Sequence, residues 1–339
     1  MDSVIIIAEA GVNHNGDIAL AYKLIDFAAE AGADYVKFQT FNAEKLASAK
    51  AKTADYQSKN TGDSRISQQQ MLEKLSLTHQ DFKALFDYCK TKNIGFLSTG
   101  FDDESVRFID GLGVDFHKIP SGEITNLPYL KLIASLGKPV ILSTGMATLD
   151  EVARAMEVLY KQGLNPWQIT LLHCTTEYPA PFGEVNLNAM LTMAKAFEVR
   201  TGYSDHTEGI EIPIAAVAMG AVMIEKHFTT DRNLPGPDHK ASLQPDELAS
   251  MVRSIRNVEK ALGDGIKKPA VSEIKNIYIA RRSIHLANSL FAGHQLIESD
   301  LIMKRPGNGI SPMQIDEVTG KKIKTNLQKD TLLTWEDLY

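Results

Sequence analysis

Val199-Arg200-Thr201-Gly202-Tyr203-Ser204-Asp205-His206 and Val222-Met223-Ile224-Glu225-Lys226-His227-Phe228 are two strand-length segments that turn polar at their C-terminal ends. The longest apolar run of the chain, Ile212–Ile224, joins them. It is bounded by Glu211 and Glu225 and interrupted by Pro213 and Gly220, so it is too short to span a bilayer and reads as buried core. Working back along the chain, similar runs recur at Val4–Ala8, Tyr35–Gln39, Gly95–Thr99, Phe116–Pro120, Val140–Thr144 and Ile169–Thr175. Helix-length amphipathic stretches separate most of them, among them Ile18–Ala31, Asp81–Lys92, Leu149–Gln162 and Leu187–Phe197, with apolar residues recurring every three or four positions.

About eight strands alternating with helices predict an α/β fold, either a (β/α)8 TIM barrel or a doubly wound open sheet. The polar strand ends favour the barrel. A parallel strand buried on both faces is apolar throughout, yet Glu9, Lys37 with Gln39, Ser98-Thr99, Lys118 with Ser121, Ser143-Thr144, His173 with Thr175, Ser204 with His206, and His227 all stand at C-terminal ends. In a barrel these ends converge on one mouth, where active sites are placed. After a last helix at Asp246–Leu262, the breakers Gly263-Asp264-Gly265 and Lys267-Lys268-Pro269 close the pattern. The expected organisation is a catalytic barrel at 1–265, a linker at 266–279, and a small, mostly β domain at 280–339, with short pieces such as Ser283–Ala287 and Thr331–Thr334.

Composition bounds the partners. The chain has 339 residues, 44% hydrophobic and 23% charged, which excludes disorder as its main state. A formal net charge of -6 leaves no global basic excess to bind nucleic acid or an anionic membrane. Val4–Ala8 meets Glu9 at once with no basic residue before it, so it is no signal-peptide core and a cytoplasmic location is expected. Cys89 and Cys174 suggest neither a disulfide framework nor a cysteine metal site, and both read as buried thiols.

Lys37 and Gln39 lie two apart on a strand and so share a face, with Lys118 at the end of another strand; two such lysines point to an anion site. Ser-Thr-Gly at Ser98–Gly100 and again at Ser143–Gly145, with Pro120-Ser121-Gly122, lets hydroxyls and backbone N–H groups approach phosphate oxygens, although such residues are also common in turns. His206 and His227 end consecutive strands. Either imidazole alone reads more readily as structural; side by side at a polar mouth they bring the metal reading level with the structural one and suit an open divalent-metal site, Mn2+ or Mg2+ rather than a closed zinc site. Glu9 and Glu123 are strand-end carboxylates available to orient hydroxyls or move protons.

Together these strings are specific. Ala8-Glu9-Ala10-Gly11-Val12-Asn13-His14-Asn15-Gly16, Val36-Lys37-Phe38-Gln39-Thr40, Lys118-Ile119-Pro120-Ser121-Gly122-Glu123, Leu142-Ser143-Thr144-Gly145-Met146, His173-Cys174-Thr175, Gly202–His206 and Glu225–Phe228 resemble the sialic acid synthase family in order and spacing. Pro235-Gly236-Pro237-Asp238-His239 extends the match, and Lys304–Ser311 resembles the family's C-terminal antifreeze-like (SAF) domain. The resemblance implies a metal-dependent condensation, Mn2+ first and Mg2+ second, of phosphoenolpyruvate with an N-acetylated mannose-type sugar, releasing phosphate. It implies that Lys37, Thr99, Lys118, Ser121, Ser143 and Ser204 hold phosphoenolpyruvate and that His206 and His227 hold the metal. Gln39, Tyr178, Asp238 and Arg305 are assigned to the sugar, Arg305 reaching it across a domain-swapped homodimer. Glu123 is assigned proton transfer and Glu9 sugar orientation, with the two roles exchangeable.

Two positions depart from the family's usual pattern. Gly100 stands where many relatives have Pro, which predicts a looser loop beside Thr99. Thr176, where some relatives have Asn, together with Glu177 and the 120–129 segment, leans toward the legionaminic branch and 2,4-diacetamido-2,4,6-trideoxymannose, with N-acetylmannosamine as the alternative. A synthase for a plain aldose, of the 3-deoxy sugar-acid type, shares the barrel and the chemistry but leaves Arg305 without a role. A non-catalytic carbohydrate- or ice-binding protein has no chemical use for Lys37, Lys118, His206 and His227 together.

Overall fold

In the computed structural model, residues 3–48, 50, 51, 53, 60 and 67–339 are described. The chain divides into two compact units, Met1–Gly263 and Asp264–Tyr339. The first is a (β/α)8 barrel. Its strands are β1 (Ile5–Gly11), β2 (Tyr35–Thr40), β3 (Gly95–Gly100), β4 (His117–Ile119), β5 (Val140–Ser143), β6 (Ile169–Cys174), β7 (Arg200–Asp205) and β8 (Met223–His227). All pairs are parallel, in the spatial order β3-β2-β1-β8-β7-β6-β5-β4. The seam of the ring lies between β3 and β4. There β4 is only three residues long and is stopped by Pro120, which has no N–H to extend a ladder. Tyr129 spans the seam, its buried hydroxyl donating to the carbonyls of Gly100 and Lys118.

The described helices of this unit are α1 (Ile18–Ala31), α2 (Ala43–Leu46), α3 (Gln68–Leu75), α4 (His79–Thr91), α5 (Asp103–Leu112), α6 (Leu127–Ser135), α7 (Leu149–Lys161), α8 (Asn188–Phe197), α9 (Glu211–Ala218) and α10 (Pro245–Leu262). Their ends are written locally. Asp17 caps α1 by accepting from the Ala19 N–H, and Gly32 ends it with a left-handed φ of 80° that other residues adopt at a cost. Ser67 with Gln70, and Thr148 with Glu151, form reciprocal capping boxes on α3 and α7. Apolar faces such as Ala21, Leu24, Ile25 and Ala28 of α1 close over the outward-facing strand residues, with Val36 and Phe38 in the same core.

The register fixes the mouth. Glu9 on β1 stands opposite Lys37 on β2 and His227 on β8, and Ser204 on β7 stands opposite Glu225. Neither 2–5-residue turns nor covalent links do this; it follows from parallel pairing with a side-chain period of two.

In the second unit β9 (Ser283–Leu286) pairs antiparallel with β10 (Leu301–Lys304) over a small core that includes Ile284, Leu286, Leu296, Ile310, Val318, Ile323, Leu333 and Leu338. Thr331–Thr334, expected as a strand, contributes the isolated bridge from Leu332 to His285. The stretch 266–279 contains most of a helix, α11 (Val271–Ala280), and α12 (Ile315–Val318) follows later. Among the described residues no helix is long and apolar enough to cross a membrane.

Candidate active site

At the C-terminal ends of the strands lies a cavity of about 360 Å3. Its floor is ionic. Lys118 Nζ lies 2.8 and 2.9 Å from the two carboxylate oxygens of Glu225, and Lys37 Nζ lies 2.8 Å from Glu9 and 3.5 Å from Glu225. Ser204 Oγ donates to Glu225 at 3.0 Å, Lys37 donates to Thr99 Oγ1 at 3.2 Å, and Gln39 Nε2 donates to Glu9 at 3.3 Å. All four charged side chains are buried, so their pairing is unscreened by solvent.

Burial sets the protonation behaviour here. It pushes the Glu9 carboxyl up to about 7, against the opposing pull of Lys37. Burial also works against the charges of Glu225 and Lys37, but their mutual attraction outweighs it. Lys118 and Lys37 hold Glu225 well below the ordinary carboxylate range, and Glu225 with Glu9 holds Lys37 above the ordinary amine value. Lys118 is lowered, because burial and the neighbouring Lys37 exceed what Glu225 returns.

Beside this floor the rings of His206 and His227 lie 5.6 Å apart, centroid to centroid, with Tyr178 4.1 Å from His206 and 5.6 Å from His227. Burial lowers His206 to about 4 and His227 well below its ordinary value, so both rings are neutral at pH 7. His206 Nδ1 lies 2.6 Å from the Thr175 carbonyl, which accepts the Nδ1 proton and leaves the Nε2 lone pair available. His227 Nδ1 is buried without a hydrogen-bond partner. Two neutral imidazoles, one orphaned and one oriented by a carbonyl, are a donor set that fits a divalent cation. Among the described residues no cluster of three His, Cys, Asp or Glu side chains suits a metal ion.

The hydroxyl positions resolve by strand alternation. Thr99 faces the cavity while Ser98 bonds Thr40 at 2.7 Å; Ser143 faces it with an orphaned Oγ while Thr144 donates to the Leu172 carbonyl. Ser121 Oγ accepts from the Gly145 N–H at 2.9 Å and lies 3.2 Å from Cys174 Sγ. A Cβ at Gly145 would stand 2.3 Å from Thr176 Oγ1 and 2.9 Å from both Cys174 Sγ and Ser121 Oγ, so only glycine allows this close approach. Gly100 is not loose. It is the last residue of β3, opposite Thr40, and a Cβ there would meet the Val106 backbone at 2.8 Å. Close packing of α5, rather than proline, fixes the segment after Thr99.

The structure thus brings Glu9, Lys37, Gln39, Thr99, Lys118, Ser121, Glu123, Ser143, Tyr178, Ser204, His206, His227 and Asp238 around one cavity. Burial raises Asp238 to about 7. Arg305 belongs to the second unit, where its Nε donates to the Ala280 carbonyl at 3.0 Å. His173, at a polar strand end, is turned away and bonds the Val185 carbonyl at 2.7 Å. Glu225 is the functional side chain that the sequence reading passed over. Its signal was its spacing, since Glu225 and His227 share a strand face while Lys226 points outward to Asp205 and the Thr207 carbonyl. Cys174 and Thr176 also line the cavity, as does an apolar set discussed below.

A (β/α)8 barrel whose mouth pairs buried lysines and hydroxyls with two neutral histidines is a barrel enzyme built for a small anionic substrate. The chain belongs to the sialic acid synthase family: residues 24–267 match the NeuB family and residues 281–338 match the SAF domain. It is 55% identical to the N,N'-diacetyllegionaminic acid synthase of Campylobacter jejuni, over 98% of this chain and 99% of that protein. It is 48% identical to the N,N'-diacetyllegionaminic acid synthase of Legionella pneumophila, over 98% and 94% of the two chains. Among solved structures, the N-acetylneuraminic acid synthetase of Leptospira borgpetersenii, crystallised in complex with citrate, is 37% identical with a TM-score of 0.72, covering 81% of this chain and 90% of that one.

Proposed function

We propose that the protein condenses phosphoenolpyruvate with 2,4-diacetamido-2,4,6-trideoxymannose and water to give N,N'-diacetyllegionaminate and phosphate. The observation that carries this reading is the floor of the cavity, where Lys37, Lys118 and Ser204 meet around the Glu225 carboxylate, with Thr99 on Lys37, beside a neutral histidine pair. Lys37, Thr99, Lys118, Ser121, Ser143 and Ser204 bind the phosphate and carboxylate of phosphoenolpyruvate, fixing their charges in place before reaction. His206 and His227 hold a divalent cation, Mn2+ with Mg2+ as the second choice, which when bound supplies Lewis-acid polarisation of the open-chain sugar aldehyde. C3 of phosphoenolpyruvate forms the new bond to the aldehyde carbon, whose oxygen takes up a proton. Water adds at C2, and the tetrahedral product expels phosphate by C–O cleavage.

Proton transfer suits Glu9. Its carboxyl titrates near neutrality and bonds both Lys37 and Gln39, whereas Glu123 is engaged by Asn126 at 2.6 Å at the outer edge of the mouth. The two carboxylates therefore exchange the roles expected of them, Glu123 joining Gln39, Tyr178 and Asp238 around the sugar. Arg305 meets the N-acetyl group of a sugar bound in the partner subunit of a homodimer. Helix α11, within the segment joining barrel and small domain, supports the dimer: Val271, Ile274 and Tyr278 form an exposed apolar stripe at helical spacing that a second copy would cover. The cytoplasm, where phosphoenolpyruvate is made, is the fitting location.

The test is phosphate release from phosphoenolpyruvate with Mn2+, offering the diacetamido sugar and N-acetylmannosamine in parallel, each with an EDTA control. A larger kcat/KM for the diacetamido sugar is expected. Preference for N-acetylmannosamine reassigns the enzyme to N-acetylneuraminate synthesis, and release with neither sugar refutes the reaction.

A further inference from the structure

Besides the lysines and carboxylates, the cavity is lined by an apolar wall of Val12, Leu46, Met71, Leu72, Leu75 and Phe101. These residues come from four separate places: the β1–α1 loop, α2, α3 and the residue following β3. They nevertheless pack as one cluster with its own core. Phe101 meets Phe41 edge-on at 6.4 Å, and α3 is started by the Ser67–Gln70 capping box. None of the six side chains offers a hydrogen-bond donor, and Met sulfur is a weak acceptor at most.

We infer that this wall is the specificity determinant of the site, selecting an N-acetylated hexose with acetamido at C4 and methyl at C6 over one hydroxylated at both positions. The inference rests on the reaction proposed above and adds which residues choose the sugar. The ionic floor takes the phosphate and carboxylate of phosphoenolpyruvate, and Gln39, Glu123, Tyr178 and Asp238 take polar groups of the sugar, which leaves the apolar wall for the substituents at its C4 and C6. A 6-deoxy sugar with a second acetamido group presents methyl groups there. N-acetylmannosamine presents hydroxyls at C4 and C6, which lose their water against Val12, Leu46, Met71, Leu72, Leu75 and Phe101 and gain no partner from these six, Gln68 at the start of α3 being the polar residue of that helix on the cavity. An apolar pocket of this kind discriminates one methyl or one hydroxyl by roughly 10- to 100-fold.

The experiment measures kcat/KM for both sugars at saturating phosphoenolpyruvate in wild type, Met71→Gln and Val12→Thr. Both substitutions nearly keep shape and add a polar group to the wall. The ratio of kcat/KM for the diacetamido sugar to that for N-acetylmannosamine is expected to fall about tenfold or more in Met71→Gln and by a smaller factor in Val12→Thr. Thermal melting of each variant separates misfolding from altered selection, and Val12→Thr keeps the test alive if Met71→Gln does not fold. A wild type that prefers the diacetamido sugar while both variants keep its ratio within about twofold overturns the inference and leaves the reaction standing. Parallel loss on both sugars overturns it likewise. A wild type that prefers N-acetylmannosamine overturns the inference together with the sugar assignment, and one that uses neither refutes the reaction itself.

Discussion

Glu225→Gln isolates what the ionic floor contributes. Wild-type Glu225 is buried and meets Lys118 at 2.8 and 2.9 Å, Lys37 at 3.5 Å and Ser204 at 3.0 Å. Removing one partner of a buried ion pair leaves the other charge uncompensated, at a cost of about 3–5 kcal/mol. Two features place this case at the lower end: the amide oxygen still accepts from Lys118 and Ser204, and Lys37 keeps Glu9 at 2.8 Å. A loss of about 3 kcal/mol in a unit of this size corresponds to a fall in Tm of roughly 6–12 °C. The measurement is calorimetric melting of the metal-free protein at pH 7, repeated with phosphoenolpyruvate. Because the variant's cavity carries one more uncompensated positive charge, the added anion should raise its Tm by more than it raises that of wild type. A Tm within about 1 °C of wild type, or a smaller ligand-induced rise, would refute the reasoning.

Asp238→Asn should change how stability depends on pH. Burial raises the wild-type carboxyl from 3.8 to about 7, so the folded chain keeps a proton that the unfolded chain has lost; stability falls as pH rises through that window and levels off above it. The variant lacks this dependence, and its advantage over wild type, followed by urea denaturation, should grow by roughly 3 kcal/mol between pH 4 and 7; a flat difference contradicts the burial. His206→Ala and His227→Ala should each weaken Mn2+ binding by more than about 100-fold in titration calorimetry, beyond what loss of an outer hydrogen-bond partner achieves, whereas unchanged affinity removes the pair as ligands. Gly145→Ala forces a methyl against Ser121, Cys174 and Thr176, and should cost about 1–3 kcal/mol of stability and raise KM for phosphoenolpyruvate; unaltered KM would detach Ser121 from that substrate.

Much of the site was legible because a barrel turns local pattern into common location. Lys37 with Gln39, Ser143, Ser204 and His206 are each a few residues past an apolar run, and parallel pairing brings all such ends to one mouth. What was missed followed from the same rule applied too coarsely. His173 was grouped with the mouth by position along β6, yet it bonds the Val185 carbonyl while its neighbour Cys174 lines the cavity. Glu225 reads along the chain as the polar end of the apolar run Ile212–Ile224, although a period of two puts it on one face with His227. Gly100 in place of proline predicts a looser loop, but its pairing opposite Thr40 on β3 and the closeness of the Val106 backbone leave little space around it.

The amino-acid sequence by itself determined the alternation of strands and helices, the helix caps, the polar character of the strand ends and the membership of the chain in its family. These depend on neighbours within a few residues, or on strings that stay recognisable without a structure. Only the tertiary structure decided that Glu225 clamps Lys118 and reaches Lys37, that Tyr129 bridges the β3–β4 seam, and that Val12, Leu46 and Phe101 join α3 in one apolar wall. Each of these joins residues tens to more than a hundred positions apart. The reason is physical: ion pairing, close packing and exclusion of water act over a few ångströms in space, and the chain's order does not specify which distant side chains fall within that range until the barrel has closed.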